Sequence, residues 1–253
     1  MSYVLEVENL ARSFGTKQVL SDINLQILQG ESYVIIGGSG SGKSVLIKCI
    51  LNLIKPDTGI VKINGKNLYN VSQRTAQKLL LKCGILYQGG ALFDSLTVID
   101  NVAFGLIHGY GTPKKEAYKI AIEKLEAVNL DESIAKIYPE ELSGGMKKRV
   151  ALARAIATKP DIIFFDEPTT GLDPITSGTI NELITKCTKE LGLTAITITH
   201  DINSLKHISD RVGLLHKGKI IWEGTNKSLF TTDDLYVKQF ISGSPHGPFT
   251  DTK

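Results

Sequence analysis

The stretch "GGSGSGKS", Gly37 to Ser44, places glycines, a lysine and a hydroxyl at the spacing G-x(4)-G-K-[ST]. It follows the apolar run "SYVIIG" and precedes a helical pattern from Lys43 to about Ile54. A glycine-rich turn in that setting is built to hold phosphate. Bare backbone lets successive N–H groups converge on phosphate oxygens, at a helix N-terminus whose dipole favours anions. Gly37, Gly38, Ser39, Gly40, Ser41 and Gly42 supply that cradle. Lys43 supplies a point charge for the β- and γ-phosphates, and the Ser44 hydroxyl is a ligand for Mg²⁺.

A second group of chemistry-bearing residues closes the run "IIFFDEP". Asp166 and Glu167 end a buried strand, where carboxylates project into the crevice at the C-terminal edge of a parallel sheet. Asp166 is suited to hold Mg²⁺ and Glu167 to deprotonate an attacking water. The run "AITITHD" ends another strand at His200, positioned at the same sheet edge to contact a γ-phosphate. His108, His207, His216 and His246 carry no such signal.

Ser143, Gly144 and Gly145 open a third element, the amphipathic helix "MKKRVALARAIA". This start reads either as a second anion-ready helix N-terminus or as an ordinary capped one. Lys147, Lys148 and Arg149 in its first turns are unusual, because cations there oppose the helix dipole.

These residues need a scaffold, and the pattern supplies one. "YVLEVENL" and "VLSDINLQI" alternate apolar and polar, as half-buried strands do. "GIVKING" is a strand closed by Asn64-Gly65. Thr97 with Asp100 caps a helix over "VIDNVAFGL", and Pro113 opens another over "KKEAYKIAIEKLEAV". Strands and helices alternate again from "DIIFFDEP" to "RVGLLHKGKIIWEG". The result is an α/β pattern with a mostly parallel, helix-covered sheet, interrupted by an all-helical insert at about 96–147. The segment 242–253, "SGSPHGPFTDTK", is rich in Pro, Gly and Ser and reads as a loose tail.

Composition excludes several classes. The chain has 253 residues and a net charge of +3 scattered along its length, which gives no footprint for nucleic acid. No apolar run approaches the roughly 18 residues that cross a bilayer. The start "MSYVLEVENL" carries glutamates where a secretion signal carries lysines, so it reads as cytoplasmic. Cys49, Cys83 and Cys187 are far apart, and read as buried free thiols.

The motifs taken in order resemble a known family. The phosphate loop, Gln88, "LSGGM", "FFDEPTTGLDP" and "ITHD" stand in the order and spacing of ABC-transporter ATPase subunits, over about residues 3–240. The resemblance implies a P-loop NTPase with a RecA-like core, an antiparallel β subdomain and an inserted α-helical subdomain. It implies one ATPase domain over 1–241, with core and β subdomain at about 1–95 and 148–241, the helical subdomain at about 96–147, and a tail at 242–253. It implies ATP and Mg²⁺ as ligands and a head-to-tail homodimer, in which Ser143, Gly144 and Gly145 meet the γ-phosphate held by the partner subunit. Gly171–Asp173 resembles the turn that crosses that dimer. Phe14 falls where the family has an aromatic that stacks on adenine, and Gln88 where a glutamine senses Mg²⁺ and the attacking water. Ser44, Gln88 and Asp166 are then the metal-site residues, and Glu167, His200 and Gln88 the catalytic ones. Met146 departs from the family's commonest glutamine.

The segment "GGALFDSLTV" from Gly89 is similar to the family's docking site for a membrane permease, placed here at Gly89–Leu96; that explains an exposed Leu-Phe pair. More narrowly, the chain resembles the MlaF-type ATPases of Mla/Mce lipid-transport systems, at the cytoplasmic face of the bacterial inner membrane. Those systems add a permease, an Mce-domain protein and, in some, a small STAS-domain protein. A small-molecule importer, for example of ribonucleotides, and an iron–sulfur assembly or cell-division ATPase share the same nucleotide motifs.

Overall fold

The computed structural model describes residues 2–250. The chain opens with β1 (Tyr3–Phe14), β2 (Lys17–Leu28), β3 (Ser32–Ile36), α1 (Lys43–Ile50), β4 (Thr58–Ile63) and β5 (Lys66–Asn67). It continues through α2 (Gln73–Leu80), β6 (Cys83–Leu86), α3 (Val98–Phe104), α4 (Lys114–Ala127), α5 (Gly144–Ala157), β7 (Ile162–Asp166) and α6 (Pro174–Glu190). It closes with β8 (Thr194–Ile198), α7 (Ile202–Ile208), β9 (Arg211–His216), β10 (Lys219–Thr225), α8 (Asn226–Leu229) and α9 (Leu235–Ser242). Two compact units form: one takes the residues up to Tyr69 and those from Thr197 onward, the other runs from Asn70 to Ile196.

In the first unit, β1 turns Leu5 and Val7 inward, as its alternation predicts, and an irregularity at Asn9 (φ 48°) shifts the register so that Leu10 is buried as well. It pairs antiparallel with β2 and β4, in a four-stranded sheet of order β2-β1-β4-β5. Asn64 and Gly65 both take positive φ (50° and 72°), the conformation that a tight two-residue hairpin requires. A second set of strands has the order β10-β9-β3, then the end of β8, where Thr199 N–H donates to Ile35 O at 3.2 Å. Here β3 is wholly buried and parallel to β9, while β10 runs antiparallel to β9. Trp222 of β10 lies over Gly224, where a Cβ would come within 2.6 Å of the indole.

In the second unit, β6 runs parallel to β7 with Leu86 opposite Phe165, and Phe164 and Phe165 are fully buried. Helix α5 crosses β6 so closely that a Cβ at Gly84 would meet Ala155 O at 2.5 Å. Helices α3, α4 and α5 pack on one another. Thr97 caps α3, accepting from Asp100 N–H while its hydroxyl donates to the Asp100 carboxylate at 2.6 Å. The expected α/β pattern, antiparallel β layer and helical insert are all present.

Two expectations are corrected. Helix α1 stops at Ile50, about four residues short of Ile54. Asn52 turns into the left-handed region (φ 56°), and Pro56 disfavours helix in the residue before it. The tail is held, not loose, as far as Thr250. The Gln239 amide donates to Ser244 O (3.2 Å), its oxygen accepts from Phe249 N–H (2.8 Å), and the Phe249 ring meets His216 edge-on, centroids 4.5 Å apart. The last three residues of the expected tail lie outside the described residues.

The three cysteines form no disulfide. Burial pushes the Cys49 and Cys187 thiols up to about 11 and Cys83 to about 12, which keeps them protonated and unreactive.

Candidate active site

The predicted residues fall into two sets, one in each unit. The first unit carries the phosphate loop between β3 and α1. Gly37 is obligatory by contact: a Cβ there would lie 2.3 Å from Leu215 O. Gly42 precedes α1 at φ 109°, and a Cβ would press on Val19 O at 2.9 Å. Gly38, Ser39 and Gly40 form the loop's turn. The Lys43 side chain is buried and its ammonium lies across the loop, donating to Gly37 O (2.8 Å) and Gly38 O (3.2 Å). The Ser41 hydroxyl oxygen is buried with no hydrogen-bond partner. A buried polar atom without a partner inside a glycine cradle fits a site that takes a polar ligand.

Beside the loop lies a cleft of about 620 Å³, walled by Phe14, Lys17 and Val19 on one side and by Lys217 and Gly218 on another, with Ser44 at the loop's helix. Phe14 is 46% exposed, and the Arg12 guanidinium lies over its ring, 4.8 Å from the centroid. Arg12 is itself held by Asp57 at 2.7 Å. The structure therefore puts the predicted base platform next to the predicted phosphate cradle. His200 is exposed and follows Thr199, whose N–H donates to Ile35 O near the end of β3, the strand that feeds the loop.

The second unit carries the carboxylates. Asp166 ends β7 and is half-buried; Glu167 follows, 9% exposed, with φ 51°. A non-glycine residue held in that left-handed region stores strain, which concentrates at functional sites. The Glu167 carboxylate accepts from Thr170 Oγ1 at 3.0 Å. Gln88 lies just beyond β6, at the same edge as Asp166 because β6 and β7 are parallel and in register. Its side chain is exposed.

Sequence reasoning gave Lys148 no role. Its side chain is buried, and its ammonium donates to two main-chain carbonyls, Gln88 O and Glu167 O, the latter at 3.3 Å. Burial pushes its pKa down, and the nearby Asp166 and Glu167 carboxylates pull it back up. The anomaly of three cations opening a helix is thereby partly resolved: Lys148 points inward, and Arg149 donates to Asn129 O at 2.8 Å. The signal was in the sequence as a charge against the dipole, but spacing alone could not say what the charge touches.

Ser143 caps α5 by accepting from Met146 N–H, and Ser143 and Gly144 are exposed. At Gly145 a Cβ would lie 2.6 Å from Thr176 Cγ2, and Thr176 is fixed by Asp173, the cap of α6. The structure so brings the "SGG" start and the Gly171–Asp173 turn together.

The loop Gly89–Leu96 is firmly held. Arg154 of α5 donates to Gly90 O and Ala91 O, both at 2.8 Å. Asn101, fully buried, donates to the carbonyls of Phe93, Leu96 and Thr97 and accepts from Phe93 N–H. Phe93 remains 44% exposed on top, stacked at 4.6 Å on Phe104. Among the described residues, no helix is long and apolar enough to cross a membrane, and no group of three or more His, Cys, Asp or Glu could hold a metal ion. The donors singled out for Mg²⁺, a hydroxyl, an amide oxygen and one carboxylate, are hard oxygens of the kind that ion takes alongside phosphate and water.

A family model described as "ABC transporter" matches residues 20–170. The chain is 40% identical over 245 residues to the intermembrane phospholipid transport system ATP-binding protein MlaF of Haemophilus influenzae, spanning 97% of this chain and 92% of that one. It is 36% identical to the probable ribonucleotide transport ATP-binding protein mkl of Mycobacterium leprae, spanning 98% of this chain and 71% of that one. Among solved structures, a dimeric post-hydrolysis state of the ATP-binding cassette MJ0796, bound to ADP and Pi, matches with a TM-score of 0.81 at 34% identity, over 88% of this chain and 98% of that one.

Proposed function

The chain belongs to the ATP-binding subunits of ABC transporters, P-loop ATPases that work as dimers with membrane permeases, and from that premise we propose that it powers lipid transport of the Mla/Mce type. ATP hydrolysis is its chemistry. The observation that carries the lipid reading is the match to MlaF over nearly the full length of both chains. The ribonucleotide relative is longer, and this chain spans 71% of it.

In this reading the phosphate loop and Lys43 hold the phosphates, and Phe14 stacks on adenine. Glu167 takes a proton from water as its oxygen attacks the γ-phosphorus; the bond to the bridging oxygen breaks and ADP and phosphate leave. Gln88 orients that water and His200 contacts the γ-phosphate. Ser143, Gly144 and Gly145 complete the site of a second copy. Ser44, Gln88 and Asp166 would hold Mg²⁺, which when bound neutralises charge on the β- and γ-oxygens. The Gly89–Leu96 loop receives the permease, which keeps the subunit at the cytoplasmic face of the inner membrane. An Mce-domain protein, and in some systems a STAS-domain protein, joins the complex.

A Glu167→Gln chain is expected to bind ATP and dimerise while turnover falls about a hundredfold or more. Brisk hydrolysis by that variant removes Glu167 as the base. For the cargo, the chain is purified from native membranes in mild detergent, and its companions and lipids are identified. A permease with an Mce-domain protein and bound phospholipid supports the lipid reading. A small-molecule permease without an Mce-domain protein, or a soluble scaffold and no permease, overturns it.

A further inference from the structure

Helix α5 places a buried ammonium where an apolar side chain would pack at no electrostatic cost. Lys148 sits in the first turns, against the dipole, desolvated and 5% exposed. Its hydrogen bonds go to the peptide carbonyls of Gln88 and Glu167. These are the two second-unit residues read above as orienting and deprotonating the attacking water.

Glu167 needs external support. Its φ of 51° is strained, and a strained residue persists only where its surroundings over-determine it. Thr170 restrains its carboxylate, and Lys148 restrains its carbonyl. On the other side of Lys148, the loop after β6 is tied to the same helix a second time, by Arg154 at Gly90 and Ala91. Arg154 reaches the loop alone; Lys148 reaches both the loop and Glu167.

We propose that Lys148 is a positioning residue for hydrolysis, whose single ammonium holds the Gln88 and Glu167 peptides at a fixed spacing, so that the water-orienting amide and the proton-accepting carboxylate stay in register. The proposal rests on the reading of Glu167 and Gln88 as catalytic. A charged donor with two fixed acceptors is hard to imitate with a neutral side chain, and a small displacement of a general base is costly in rate.

The test measures steady-state ATP hydrolysis by the full-length chain, with nucleotide affinity and melting temperature, for Lys148→Met, Lys148→Arg and Glu167→Gln. Lys148→Met keeps the volume and loses the charge; kcat is expected to fall about ten- to a hundredfold, the loss of a charged hydrogen bond. KM stays within about twofold because the phosphate loop is untouched. Lys148→Arg, which keeps the donors, is expected to recover most of the rate at the same melting temperature. Parental kcat in Lys148→Met, or an arginine variant as slow as the methionine one, overturns the proposal. If Lys148→Met does not fold, amide exchange in Lys148→Gln decides. Faster exchange at both 88–91 and 167–170, reversed by arginine, supports the proposal, and unchanged exchange at either overturns it. A Glu167→Gln chain that still hydrolyses defeats the underlying reading; a dead Glu167→Gln with a fully active Lys148→Met defeats the proposal alone.

Discussion

At the residue scale, Phe14 is held on its edge of the cleft with a cation over its ring. Arg12 covers one face of the ring and is itself fixed by Asp57, which also accepts from Ser13 N–H at 2.7 Å. If the open face carries adenine, Phe14→Ala is expected to weaken ATP binding about tenfold or more, the scale of one base–aromatic stack. Inorganic triphosphate, which has no base, is expected to bind both chains alike. Competition titration against a fluorescent ATP analogue reads the difference; equal losses for both ligands would take Phe14 out of base recognition. The phosphate loop was legible in the sequence because phosphate binding needs glycines and a lysine at fixed offsets. Lys148 was not, because its partners are main-chain carbonyls 60 and 19 residues away, which no spacing rule encodes. The strain at Glu167 is likewise a property of the folded backbone and has no counterpart in residue type.

At the element scale, the Gly89–Leu96 loop shows how one buried amide organises a whole segment. Asn101 is fully buried on α3 and satisfies four main-chain groups of residues 93–97. Asn101→Ala strands Phe93 N–H and Leu96 O, while Phe93 O keeps Leu96 N–H and Thr97 O keeps the Asn101 N–H; the change is expected to cost about 2–4 kcal/mol of unfolding free energy. Urea unfolding measures it, and a loss under about 0.5 kcal/mol, the range of an ordinary surface change, would deny the amide its role. The sequence showed the Thr97 cap and the helix behind it, since capping is local. It showed an apolar Leu-Phe pair in a turn but not what stiffens it, because Asn101 works across the turn. Helix α1 was overrun for a related reason: apolar periodicity continued past Ile50, while Asn52 and Pro56 set the stop. A glycine-, serine- and proline-rich tail reads as loose by composition, and here a single glutamine side chain on α9 overrides composition.

At the scale of the whole molecule, that tail adds surface to the unit that carries the phosphate loop. Phe249 meets the rings of His216, Tyr236 and Phe240. Ending the chain at Gly243 removes this ring and is expected to lower stability by about 1–3 kcal/mol in urea. Burial, with Lys217 beside it, holds the His216 pKa below the usual histidine value. The unfolded chain then binds the extra proton first, so this group's contribution is complete above about pH 6.5 and fades as pH falls from there toward the lower folded value. The shortened chain, with His216 uncovered, is expected to lose that acid-side slope; an identical slope in both chains would place its origin elsewhere.

The chain has one tryptophan, Trp222, in the first unit, on the strand that turns back from Lys217 and Gly218 at the cleft. Its emission is therefore a regional signal, while far-ultraviolet circular dichroism sums helices from both units. Read together, the two signals separate melting around the cleft-bearing unit's β10 from loss of helix over the whole chain.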